Sequence, residues 1–342
     1  MKKTFKLSIV MLLALTVVLA GCGNKKSETN GSASTSEGSS KSDIKIGMVT
    51  DVGGVNDKSF NQSAWEGLQQ LQKDKGVKAE YLQSTKSDDY NTNLNKFVKG
   101  KYALTWGIGM SLGDAVGTVA KQNPDAKLAI IDAVVDAPNV KSVTFAENEG
   151  SFLVGVVAGK MTKTNKIGFV GGIKLPVIER FAAGFKAGVL AVNPNAEVNI
   201  NYTGAFDKPD LGKTAAATQY NNGADIIFQA AGGTGTGVFN EALGRVKSGQ
   251  KVWVIGVDKD QSLEFPDVTL TSMVKRVDEA VKRVSQEVID GTFKGGQETL
   301  TLKDNGVGIP DTSSKNVPAD VLKLVDDYKA KIVSGEIKVP EK

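Results

Sequence analysis

Residues 51–62 read Asp51-Val-Gly-Gly-Val-Asn-Asp-Lys-Ser-Phe60-Asn61-Gln62, a carboxylate, a carboxamide and a phenyl ring in one short stretch. Two glycines allow backbone to approach a ligand closely. A flat, hydrogen-bonding heterocycle suits this set, because a base stacks on an aromatic ring for ~1–3 kcal/mol and Asp51 or Asn61 can read its edge. Phe60 fits equally well as the first core residue of the helix that follows. In Gly256-Val-Asp258-Lys-Asp260-Gln261 the carboxylate of Asp258 can accept both hydroxyls of a ribose diol. Lys275, in Ser272-Met-Val-Lys-Arg-Val-Asp278, can donate to a ribose oxygen and offset Asp258. Its neighbours Arg276 and Lys282 leave a solvated face as the alternative. Asp132 ends an apolar run and either faces the same cleft or is structural. Phe206, in Tyr202-Thr-Gly-Ala-Phe206-Asp207, can cover a ligand from the other side, and Phe181 in Arg180-Phe181-Ala-Ala-Gly184-Phe185 is its rival.

Other chemistry is excluded. The chain has no histidine, which removes Ser-His-Asp triads, Cys-His dyads and HExxH zinc sites together. A single cysteine, Cys22, rules out an intramolecular disulfide and any CxxC motif. Trp106-Gly-Ile-Gly-Met-Ser-Leu-Gly113 has G-x-G-x-x-x-G spacing and does not follow the first strand, so it is a weak dinucleotide fingerprint. Gly232-Gly-Thr-Gly-Thr-Gly237 lacks the Lys-Ser/Thr of a phosphate-binding loop. Both read as close-approach loops for a neutral ligand or as tight turns. No cofactor is expected.

The elements that must hold these residues alternate. Ile44–Thr50 reads as a buried strand and Ser59–Asp74 as a helix with Phe60, Ala64, Leu68 and Leu71 on one face. Ser59 and Gln62 have capping-box spacing. Strands near 78–82, 102–106, 127–132 and 140–145 alternate with helices at 88–99 and 111–122. A second series starts with a helix at 150–161. It has strands at 166–170, 197–202, 225–229 and 251–257, separated by helices at 176–192, 210–222 and 237–247. A strand at 268–274, a helix at 276–290 and a strand at 298–302 follow. This pattern predicts an α/β protein with two doubly wound parallel-sheet lobes, the late segments crossing between them as a multi-strand hinge. One continuous α/β domain, such as a barrel, is the alternative. Ligands of open α/β sheets dock beyond the carboxyl ends of the strands, which is where these motifs fall.

The amino terminus reads as an address. Lys2, Lys3 and Lys6 precede a fourteen-residue apolar run, Leu7–Ala20. That is a signal-peptide core, short of the roughly 18 residues of a spanning helix. Leu19-Ala20-Gly21-Cys22 resembles a bacterial lipobox, which implies cleavage before Cys22 and its lipidation. Loss of residues 1–21 removes three lysines and no acids, taking the net charge from +4 to +1. A nearly neutral protein offers no electrostatic case for nucleic acid as a partner. Residues 23–42 hold no large apolar side chain and read as a flexible tether.

From Lys45 to Leu302 the chain resembles the basic membrane protein (BMP) family, the PnrA-type nucleoside-binding lipoproteins of ABC importers. The resemblance rests on the 51–62 string, on Ile255-Gly-Val-Asp258-Lys-Asp-Gln and on Thr271-Ser-Met-Val-Lys275-Arg-Val-Asp, in that order. It implies a type I periplasmic-binding fold that holds a purine nucleoside (guanosine, inosine or adenosine). Phe60 and Phe206 would sandwich the base, and Asp51, Asn61 and Asp132 would contact its edge. Asp258, Lys275 and the Gly232 backbone would hold the ribose. It also implies a non-enzymatic receptor, lipid-anchored on the extracytoplasmic face, serving a separate permease and ATPase. The expected divisions are a leader at 1–21, lipidated Cys22 and tether at 22–42, an N-terminal lobe at 43–147 plus 275–295, and a C-terminal lobe at 148–274 plus 296–342. A sugar or autoinducer receptor, a nucleoside-cleaving enzyme and a surface antigen or adhesin are the rival functions.

Overall fold

The computed structural model describes residues 44–342. The leader, Cys22 and the tether lie outside the described residues. The chain begins with β1 (Lys45–Thr50), α1 (Phe60–Lys75), β2 (Lys78–Leu82), α2 (Asp89–Lys99), β3 (Leu104–Ile108), α3 (Gly113–Gln122), β4 (Leu128–Ile131) and β5 (Val140–Phe145). It continues through α4 (Glu147–Met161), β6 (Lys166–Gly171), α5 (Pro176–Val192), β7 (Glu197–Tyr202), α6 (Pro209–Asn221) and β8 (Ile226–Ala230). Next come α7 (Gly235–Lys247), β9 (Trp253–Asp258), β10 (Thr269–Lys275), α8 (Val277–Ile289), β11 (Gly296–Leu300), β12 (Val307–Gly308) and α9 (Ala319–Val333).

Two six-stranded sheets result, ordered β2-β1-β3-β4-β5-β11 and β7-β6-β8-β9-β10-β12. The pairings of the first sheet are all parallel; in the second, only the two-residue β12 runs antiparallel, to β10. The inner strands β3, β4 and β8 are buried throughout, as strands covered by helices on both faces must be. This is the two-sheet α/β architecture expected from the alternation.

Several details depart from the sequence reading. Residues 296–300 were grouped with the second half, yet β11 pairs with β5 from Gly296↔Lys141 to Leu300↔Phe145 and completes the first sheet. Glu298 is held there by Lys141 and Arg283, and Thr299 by the Thr144 hydroxyl. Lys275, grouped with the first half, is the last residue of β10 in the second sheet. The helix expected from Gly150 begins at Glu147, while β12 and α9 were not anticipated.

The chain passes between the sheets at Ala146, at Arg276 and after Leu300. These passages are tied together: Ala146 N–H donates to the Leu300 carbonyl and Arg276 N–H to that of Gly306, each at 2.9 Å. Glu149 accepts from Leu302 N–H at 2.9 Å. Beside them α4 packs on α5 backbone to backbone. A Cβ at Gly184 would collide with the Asn148 carbonyl, and one at Gly188 with that of Phe152.

Candidate functional site

A cavity of about 60 Å³ lies beyond the carboxyl ends of both sheets, between residues that the two halves contribute. The first half supplies the polar wall. Asp51 follows β1, and its Oδ1 accepts from Asn61 Nδ2 at 2.8 Å and Gly53 N–H at 2.9 Å. Asp57 caps α1 by accepting from the backbone N–H groups of Ser59, Asn61 and Gln62. This replaces the expected capping box: Ser59 makes no side-chain cap, and its hydroxyl donates instead to Asp258 Oδ2 at the end of β9. Asn61 Nδ2 also donates to Asp57 Oδ2 at 3.0 Å. Two carboxylate acceptors therefore fix the amide's orientation, and Asn61 Oδ1 stays buried without a protein partner.

The second half supplies the apolar wall. Leu175, Val177, Ile178 and Phe181 come from α5 and its approach, Phe206 from the loop after β7 and Gly232 from the turn after β8. The Phe206 loop is anchored by its own carbonyl, which accepts from Thr234 N–H at 3.0 Å. Gly172 makes room for the Phe206 ring, which a Cβ there would strike. Phe60 and Phe206 are each half-buried on the cavity wall, whereas Phe181 is buried and packs on Phe228, ring centroids 6.2 Å apart.

Charge is concentrated at the strand ends. Asp132 and Asp258 follow or end β4 and β9 with φ of 70° and 64°, the left-handed region that aspartate tolerates better than most residues. Lys275 is buried, and its Nζ donates to Asp132 Oδ2 at 2.7 Å and lies 3.0 Å from Glu147 Oε1. The same ammonium sits 5.0–5.6 Å from the ring centroids of Phe60, Phe145 and Phe181, within cation–π range. Burial pulls its pKa down, but Asp132, Glu147 and Asp258 outweigh that and hold it above the ordinary lysine value. Burial raises the carboxyls of Asp51 and Asp132 to about 6 and that of Asp258 to about 7. For Asp258, Lys275 and the Ser59 hydrogen bond recover only part of the desolvation cost. Asp132 Oδ1, like Asn61 Oδ1, is buried and unpartnered.

The family described as ABC transporter substrate-binding protein, PnrA-like (Bmp) matches residues 44–342. The chain belongs to this family. Its members are solute-binding proteins and not enzymes. Among its relatives, the CD4+ T-cell-stimulating antigen of Listeria innocua is 49% identical over 100% of this chain and 99% of its own length. The ABC transporter nucleoside-binding protein BmpA of Lactococcus lactis is 43% identical, covering 100% of both chains. A crystal structure of an ABC transporter solute-binding protein from Aeropyrum pernix is 30% identical, with a TM-score of 0.82 over 87% of this chain and 94% of that one.

In this PnrA-like protein Asp51, Phe60, Asn61, Asp132, Phe206, Gly232 and Asp258 all line one cavity. Lys275 reaches its edge through Asp132 and the Phe60 ring. The anticipated motifs therefore converge. Sequence reasoning missed Asp57, Ser59, Glu147 and Arg180. Asp57 lay inside the quoted string, and its position three residues before Phe60 was a usable cap signal. Ser59 and Glu147 gave none, since their partners are 199 and 128 residues away along the chain.

Proposed function

We propose that this protein captures purine nucleosides on the extracytoplasmic face of the membrane, held there by a lipid on Cys22, and delivers them to a separate ABC permease and ATPase. The observation that carries the reading is the pair of buried, unpartnered acceptors, Asn61 Oδ1 and Asp132 Oδ1, in a cavity walled by the half-buried rings of Phe60 and Phe206. Such acceptors cost free energy until a donor arrives, and a purine edge carries N–H donors in a plane that two phenyl faces can enclose. Asp258 accepts the ribose hydroxyls, Lys275 donates to a ribose oxygen and the Gly232 turn closes over the sugar. The Lactococcus relative, named a nucleoside-binding protein, supports the same ligand class.

The two sheets carry opposite walls of the site and act as lobes that close on the ligand, so binding shifts the population toward the closed form. That form is the one the permease receives. Among the described residues no helix is long and apolar enough to cross a membrane. Calorimetric titration with guanosine, inosine, adenosine and ribose tests the reading. Nucleosides should bind far more tightly than ribose; the reverse order would transfer the site to a sugar. Release of free base during incubation would instead make it a hydrolase.

A further inference from the structure

Glu147 carries a fully buried side chain that no motif singled out and that is not part of the cavity wall. A carboxylate in that position needs compensating partners. Arg180 Nε donates to its Oε2 at 2.7 Å, and Lys275 Nζ lies 3.0 Å from its Oε1. All three residues ride on one frame. Gly184, in the helix that bears Arg180, sits against the carbonyl of Asn148, the residue after Glu147. A Cβ at Gly150 would meet Met273 Sδ at 2.8 Å, so α4 is pressed equally closely on the strand that ends in Lys275. Asp132, the other partner of Lys275, belongs instead to the first sheet.

We propose that Glu147 is a positioning residue that aims the Lys275 ammonium at the ligand and remains its counter-charge when the halves part and Asp132 withdraws. The inference rests on the reading of Lys275 as a ligand donor. An ammonium has three donors; Asp132 takes one, which leaves capacity for a ligand oxygen. Lys275 thus changes partners in each cycle, keeping Glu147 throughout and gaining Asp132 and the ligand on closure. Without a resident carboxylate, an ammonium set against Phe145 and Phe181 would be driven toward its neutral form. The charged groups facing it are Asp132 from β4, Glu147 from α4 and Asp258 from β9, with Arg180 of α5 behind Glu147.

The test is a titration of the full-length protein labelled with [13Cε]lysine, with Lys275 assigned by its absence in Lys275→Met. In the wild type the Lys275 signal should stay charged beyond the ordinary lysine range. In Glu147→Gln its midpoint should fall by roughly one unit or more. Inosine affinity should drop about tenfold at pH 7, with Glu147→Asp recovering most of the loss. An unchanged Lys275 midpoint in Glu147→Gln, or an unchanged inosine affinity, would overturn the proposal. If Glu147→Gln does not fold, Glu147→Asp decides: an intermediate midpoint supports the role and a wild-type midpoint refutes it. If the wild type binds no inosine, the nucleoside reading fails while the lysine titration still judges the positioning.

Discussion

The two halves of the molecule repeat one backbone device and equip it differently. Each third strand, β3 or β8, runs into a single 3-10 turn, Met110–Leu112 or Gly232–Thr234, and then into a helix that starts at glycine. Each fourth strand delivers an aspartate in the left-handed conformation, Asp132 or Asp258. The side chains then diverge. The first half brings fixed acceptors, Asp51, Asp57 and Asn61; the second brings the apolar wall and the cation. The two aspartates also exchange partners across the cleft. Asp132 of the first half is bonded by Lys275 of the second, and Asp258 of the second by Ser59 of the first. Two similarly placed carboxylates are thus each bonded from the opposite half.

The sharpest way to break this reciprocity is Lys275→Met. It leaves Asp132 and Glu147 buried without their shared cation, and breaking such a cluster costs ~3–5 kcal/mol. Urea denaturation should show that loss, and nucleoside binding should disappear with it; a variant of wild-type stability would mean that the carboxylates find other partners. Asp258→Ala, on the opposite arm, should cost the intact nucleoside ~1.5–3 kcal/mol of binding and spare 2′,3′-dideoxy analogues. Equal losses for both ligands would remove the ribose from Asp258.

Phe60→Ala should weaken nucleoside binding by ~1–3 kcal/mol while leaving ribose unaffected. Phe206→Ala should do the same if the half-buried ring is the second face. A larger effect on affinity than on stability in Phe181→Ala would move that role to Phe181.

A smaller effect concerns protons. Because burial raises the Asp258 carboxyl to about 7, the empty site holds a proton below that pH. Accepting ribose hydroxyls requires the anion, so binding should release a proton and affinity should climb as pH passes upward through about 7. The same shift lowers the stability of the unliganded fold as pH rises from the usual carboxylate range, 3.8, toward about 7. Calorimetry in two buffers of different ionisation enthalpy reads the proton directly, and zero release would contradict the assignment. Ser59→Ala should have the least effect, ~1 kcal/mol or less on nucleoside affinity, because the diol can take over the oxygen that Ser59 occupies.

Much of this was legible in the residues because the signals were local. Buried strands announce themselves by apolar runs, and ligand loops by glycine beside polar side chains at a strand's end. Hence the 51–62 string and Asp258 fell where the motifs put them. What escaped depends on partners far along the chain. Ser59 looks like a cap until Asp258 claims its hydroxyl, and Glu147 looks like loop until α4 is seen to start there. The register of β11 on β5 likewise has no local cause, since a strand's own residues do not state which edge it will join.

That late pairing bears on how the chain is made. The outer edge of β5 meets its neighbour only when residues 296–300 arrive, some 155 positions after Lys141. Until then a nascent polypeptide emerging amino terminus first displays an unpaired strand margin open to stray β-addition. Truncation anywhere before Gly296 should therefore yield insoluble material instead of a working half, and assembly of the first sheet must wait for nearly the whole polypeptide.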